Sequence, residues 1–393
     1  LLSNPGGPGG SGLELLTYDA FSPTLTESLD IVSWDPRGVG QSTRAKCGGG
    51  IGPFLANDPD PDTPQESVAI EAAAKAVAEG CAKESGDLLA HIGTDDVARD
   101  LEAIRRALGN EPLNFLGFSY GTQIGQKYAE FFPKNIRTMT LDGVVDPRLG
   151  YTEFLLGQAK AFDDAFNRSA NECADAGVSK CGVRDLAASY DRVRARVELS
   201  PLPAGRSKVG PAELATAATY VAYLEDGWAE LGPALAAAEK GRGAKLKDLA
   251  DSYYDLAGYP TYAAVTCVDT PPPKGSAEYK KFAEAALGVS ARFGGAVANE
   301  LLPCAFWTVP PKGTPGPVNA AGAPPILVVG NTGDPATPYS NAVAVARDLP
   351  GAVLLTADIG GHTAYGTNSC VTSAVDSYFV SKELPKAGTR CSK

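Results

Sequence analysis

The stretch Leu113-Asn114-Phe115-Leu116-Gly117-Phe118-Ser119-Tyr120-Gly121-Thr122 constrains this chain more than any other. An apolar run ends in a Gly-x-Ser-x-Gly turn, and a helical pattern follows. A serine on so sharp a turn is held in strained backbone geometry, and side chains two residues to either side would collide with neighbouring elements, so glycine stands at both places. Such a turn belongs at the end of a strand in a mostly parallel sheet and exposes the serine as a nucleophile. In a chain with 44 glycines the pattern alone arises easily; its strand-turn-helix setting gives it weight.

The surrounding periodicity agrees. Short apolar runs alternate with amphipathic stretches, which predicts an α/β fold. Strands are expected over 31–34, 113–117, 135–142, 326–330 and 353–356. A helix is expected over 94–108, with Thr94 as its cap, acids in its first turn and arginines near its end, and another over 373–381. From about 151 to 323 the sequence turns alanine-rich and helical, at 153–171, 183–197, 211–240 and 277–293, with no strand run. A Pro/Gly-rich loop, 309–325, closes that region. The division is thus a core over 1–150, a helical lid insertion over 151–323, and the rest of the core over 324–393, without solenoid repeats.

Serine is a poor nucleophile at neutral pH and needs a base, and the chain has two histidines. His362, in Gly360-Gly361-His362-Thr363, follows a predicted strand late in the chain, where the order Ser, Asp, His puts the base; His91 precedes the nucleophile strand and suits a surface or capping role. A carboxylate after a strand should orient the imidazole, and Asp334, in Gly330-Asn331-Thr332-Gly333-Asp334, is the candidate, with Asp358 as its rival. Asn4-Pro5-Gly6-Gly7-Pro8-Gly9-Gly10-Ser11-Gly12 lacks the ending of a phosphate loop, and its prolines remove N–H donors. It suits an oxyanion hole instead, with donors at the backbone N–H of Gly7 and of Tyr120. Trp34-Asp35-Pro36-Arg37-Gly38-Val39-Gly40-Gln41-Ser42 reads as a structural turn tying loops near the site.

Composition sets the outer bounds. A net charge of −11 weighs against nucleic acid or an anionic membrane as partner. No apolar run approaches the roughly 20 residues that span a bilayer. Eight cysteines without CxxC or Cys/His spacing point to disulfides and an oxidising compartment, and no grouping suggests a metal or a cofactor. The chain opens on Leu1-Leu2-Ser3, the apparent end of a buried strand. A signal peptide and early strands are therefore expected ahead of it, removed or carried on a segment with which this chain associates.

Taken together, NPGGPGGSG at 4–12, DPRGVGQS at 35–42, GFSYGT at 117–122, GDPATP at 333–338 and GGHT at 360–363 resemble the proline-iminopeptidase-like branch of the α/β-hydrolases. The long insertion, the cysteines and the NPGGPG form are similar to the secreted tripeptidyl aminopeptidases of actinobacteria. That resemblance implies an α/β-hydrolase fold with a lid and the triad Ser119, Asp334 and His362. It also implies an extracellular, cofactor-free serine aminopeptidase releasing short peptides, tripeptides foremost, from peptides or proteins with free N-termini. Such an enzyme needs acids to hold the substrate ammonium, and Glu225, Asp226 and Asp269 are the candidates. Nearest-neighbour pairing and the family layout imply the disulfides Cys47–Cys81, Cys173–Cys181, Cys267–Cys304 and Cys370–Cys391. Proline iminopeptidase, general esterase and a non-catalytic binding protein on the same scaffold remain as alternatives.

Overall fold

In the computed structural model all residues except Ala257 are described, Asp255 and Leu256 by backbone alone. The strands are β1 (Leu2–Asn4), β2 (Val32–Ser33), β3 (Leu113–Phe118), β4 (Ile136–Asp142), β5 (Leu202–Ala204), β6 (Ser207–Val209), β7 (Leu327–Gly333), β8 (Val353–Gly360) and β9 (Arg390–Ser392). Seven of them form one sheet in the order β2-β1-β3-β4-β7-β8-β9, parallel throughout. The central strands are apolar runs because helices cover both faces. Side chains alternate along each strand: Phe115, Met139, Leu141 and Val328 enter one apolar layer, Leu116, Phe118, Leu327 and Val329 the other.

The 94–108 helix runs Thr94–Ala107, with Asp95 and Asp96 in its first turn and Arg105 and Arg106 in its last. Its N-cap is Gly93 rather than Thr94, whose hydroxyl is engaged elsewhere. The structure adds a helix, Pro64–Ser85, started by a reciprocal Thr63–Glu66 capping box. It also adds the edge strand β9.

Between β4 and β7 the chain is helical from Tyr151–Ala176 to Gly294–Asn299, with two departures from expectation. A small antiparallel hairpin, β5 with β6, stands where no strand was expected. The 211–240 stretch is two helices, Pro211–Ala222 and Trp228–Ala238. The break has a use, because the Tyr223 carbonyl accepts the His362 backbone N–H at 3.0 Å.

The four disulfides pair as the resemblance implies. Cys267–Cys304 staples the helix Tyr259–Asp269 to the turn Leu302–Phe306, and Cys370–Cys391 holds β9 to the helix Ser369–Ser381. Among the described residues no helix is long and apolar enough to cross a membrane.

Candidate active site

Ser119 ends β3 and begins the helix Tyr120–Phe131 with φ of 54°, a conformation non-glycine residues seldom adopt. Its own N–H is tied to the Asp142 carbonyl at 2.8 Å. The two glycines of its motif sit under close contacts: a Cβ on Gly117 would lie 2.5 Å from the Gly121 carbonyl oxygen, and one on Gly121 2.6 Å from that of Asn4. The loop after β1 presses on the same turn, since a Cβ on Gly6 would lie 2.5 Å from the Phe118 oxygen and 2.9 Å from Ser119 Cβ.

Gly7 follows with its backbone turned into the cavity that Ser119 and Tyr120 line, and neither the Gly7 nor the Tyr120 amide donates to another described residue. Asp35 secures this loop by accepting from Ser11 Oγ at 2.6 Å and from Gln41 N–H at 2.6 Å, and Arg37 ties the adjoining turn to Asp100 with two bonds of 2.6 and 2.7 Å. The turn 34–42 thus has the loop-tying role its sequence suggested.

His362 follows β8 and Asp334 follows β7, neighbouring strands of the sheet. Imidazole Nδ1 stands 2.9 Å from both Asp334 oxygens. The carboxylate is itself held by the N–H groups of Ala336 and Thr337, each at 2.9 Å, and by the Thr337 hydroxyl at 3.1 Å. An acceptor at Nδ1 favours the proton there and leaves Nε2 with a free lone pair. Nε2 is buried without a hydrogen-bond partner among the described residues, in an imidazole that shares the cavity wall with Ser119. Burial disfavours the imidazolium, but the Asp334 carboxylate, assisted by Asp142, outweighs it and holds the His362 pKa above the ordinary 6.5. The rivals lie elsewhere: Asp358 pairs with Arg390 at an exposed sheet edge, and His91 sits in an exposed turn whose carbonyl accepts from Arg37.

The cavity, about 880 Å³, lies between the carboxyl ends of the strands and the helical insertion. Of the three acids expected to hold an amine, the structure brings one to it. Glu225 and Asp226 fall in the helix break outside the cavity lining, paired with Lys393 at 3.1 and 3.2 Å. Asp269 lines the cavity, but its oxygens already accept from the Thr94 N–H at 2.8 Å and from the Thr94 hydroxyl. That hydroxyl also meets Tyr120 Oη at 2.6 Å, so Asp269 connects the insertion to the residue after Ser119. Burial raises the Asp269 pKa to about 6, against those hydrogen bonds.

Glu300 is a further acid at the site, one that no sequence motif marks. It lines the cavity and accepts from Tyr253 Oη at 2.9 Å and Tyr262 Oη at 3.2 Å, while Tyr259 bonds its carbonyl at 2.6 Å. No basic side chain pairs with it among the described residues. Burial raises its pKa from the ordinary glutamate value, against the two tyrosine bonds. The available signal was a lone charge between buried Val297, Ala298, Leu301 and Leu302.

The sequence profile of the family described as TAP-like protein matches residues 290–391. Over the whole chain the sequence is 37% identical to serine protease Hip1 of Mycobacterium tuberculosis, covering 80% of that protein. It is 36% identical to carboxylesterase B of the same species, of which it covers 79%. It is 32% identical to tripeptidyl aminopeptidase of Streptomyces lividans, of which it covers 76%. With that full-length identity and a parallel sheet carrying Ser119, Asp334 and His362 in order, the chain is a serine hydrolase of the tripeptidyl-aminopeptidase-like α/β-hydrolase family.

Proposed function

We propose that this enzyme is an exported aminopeptidase that removes short peptides, tripeptides foremost, from free N-termini through an acyl-enzyme on Ser119. The observation that carries the reading is Glu300, a carboxylate without a basic partner in the cavity of a Ser-His-Asp constellation. A buried acid held by two tyrosines suits an ammonium group, which would complete its shell and keep it ionised. In this reading Ser119 attacks the scissile carbonyl, and His362 Nε2 takes the proton and returns it to the leaving amine. Asp334 fixes the tautomer and stabilises the imidazolium. The Gly7 and Tyr120 amides receive the oxyanion, each worth about 3 kcal/mol of transition-state stabilisation. Glu300 sets the acyl length by its distance from Ser119.

The four disulfides support export. The likeness to carboxylesterase B favours a second reading, hydrolysis of simple esters by the same triad without an amine anchor. Paired aminoacyl, dipeptidyl and tripeptidyl chromogenic amides, each free and N-acetylated, separate the two. The aminopeptidase reading expects the free tripeptidyl amide to be cleaved fastest and its acetylated twin hardly at all. Equal rates on both twins, or cleavage of esters alone, would establish the general hydrolase.

A further inference from the structure

Asp142 ends β4 directly beside the site, is fully buried, and does not line the cavity. Its two ends serve two partners. The carbonyl accepts the Ser119 N–H at 2.8 Å. The carboxylate accepts from the Ala364 N–H at 3.0 Å and the Tyr365 N–H at 2.8 Å, which fixes the loop that carries His362. The next residue, Gly143, lies against the imidazole, for a Cβ there would be 3.0 Å from His362 Cε1 and 2.9 Å from Thr363 Cγ2. Asn331 grips the same loop from β7, donating to the carbonyls of Gly361 at 3.2 Å and Thr363 at 2.8 Å.

No cationic side chain pairs with Asp142 among the described residues. Among the described residues the neighbour that can become cationic is His362. Around that ring stand Asp334 at Nδ1, Asp142 behind the loop and the Tyr223 ring edge-on with centroids 5.4 Å apart. A second buried carboxylate at this place is costly to keep unless charge develops beside it. We propose that Asp142 is a second acidic positioning residue for His362, tying the histidine loop to the nucleophile turn and stabilising the imidazolium that forms as Ser119 is acylated. Two supporting effects follow. Burial lifts the Asp142 pKa to about 6 despite its two N–H donors, and its charge in turn raises that of His362. The Asp142 charge is thus one of the causes that keep the His362 pKa, and with it the acid limb of activity, above 6.5.

The inference rests on His362 being the base for Ser119, so its test reads the histidine without substrate. With two histidines in the chain, the isotope-labelled imidazole signals are assigned by a His91→Gln variant, and a circular-dichroism spectrum checks that each variant is folded. In Asp142→Asn the amide oxygen can still accept both loop N–H groups while the charge is gone. The expected result is a His362 titration moved down by about one pH unit, and kcat lowered about 10- to 100-fold with KM within about twofold. Asp142→Glu, which keeps the charge, should restore most of the titration shift. Asp142→Ser carries the same comparison if the asparagine variant does not fold. A His362 titration unchanged in the neutral variants, or shifted equally in Asp142→Glu, overturns the proposal. Persistent turnover in Ser119→Ala would instead overturn the triad reading beneath it.

Discussion

Exchange of Glu300 for glutamine removes one charge and little shape. Tyr253 and Tyr262 donate to its two carboxylate oxygens at 2.9 and 3.2 Å; an amide keeps one of these acceptors, and the other tyrosine can rotate its hydroxyl. What the variant loses is the partner of a desolvated ammonium. Truncating one member of a buried, hydrogen-bonded charge pair costs about 2 to 5 kcal/mol. At about 1.4 kcal/mol per tenfold, that is a drop of roughly 30- to 4000-fold in kcat/KM for a free tripeptidyl amide. Because the ammonium is held in ground and transition states alike, the loss should fall chiefly on KM. An N-acetylated tripeptidyl amide has no ammonium to hold, and its slow hydrolysis should change less than about threefold. Steady-state kinetics on the twin substrates, with melting curves on both proteins, measure this directly. An equal loss on both twins would show that Glu300 supports the cavity rather than an amine, and no loss on either would place the anchor elsewhere.

Asp334→Asn should lower kcat by about 10⁴-fold, through the wrong imidazole tautomer, with a circular-dichroism spectrum unchanged; a loss under tenfold would remove Asp334 from the triad. The base must be neutral to accept the Ser119 proton, and its folded pKa lies above 6.5, so kcat/KM should fall as pH drops through a value above 6.5. A profile flat down to pH 6 would contradict that assignment. Gly6→Ala would put a methyl 2.5 Å from the Phe118 oxygen at a φ of 93° and displace the loop proposed to carry the Gly7 oxyanion donor. Loss of one donor predicts at least about a 100-fold fall in kcat, readable against fluorophosphonate labelling of Ser119. Replacing Cys267 and Cys304 by serine, which opens a 37-residue separation, should lower stability by about 2 to 5 kcal/mol in a denaturant melt.

Much of the sheet was written in local patterns. β3, β4, β7 and β8 are apolar runs followed by turn residues, and finding the strands was enough to put the candidates Ser119, Asp334 and His362 at strand ends, where the structure has them. What stayed hidden depends on long-range packing. The helix break at Tyr223 frees a carbonyl that accepts from His362, 139 positions later, a contact helical periodicity cannot register. Thr94 resembles a cap by type, yet its hydroxyl is taken by Asp269 from a distant helix. The hairpin of β5 and β6 and the strand β9 are three residues each, too short for alternation to show. The helix Pro64–Ser85, by contrast, announced itself in Thr63-Pro64-Gln65-Glu66 and could have been read.

The candidate acids for an amine show the same limit more sharply. Glu225, Asp226, Asp269 and Glu300 are alike as letters, and their surroundings separate them. The first two share Lys393, Thr94 occupies the third, and tyrosines leave the fourth as an acceptor toward the cavity. A carboxylate's availability is a property of its neighbours.

The most direct test of the account is to trap the intermediate. A free tripeptidyl ester mixed with the enzyme and quenched in acid within milliseconds, followed by peptide mapping in a mass spectrometer, should show one tripeptidyl group esterified to Ser119, absent from Ser119→Ala. Full turnover with no adduct on Ser119, or with the acyl group on another residue, would contradict it.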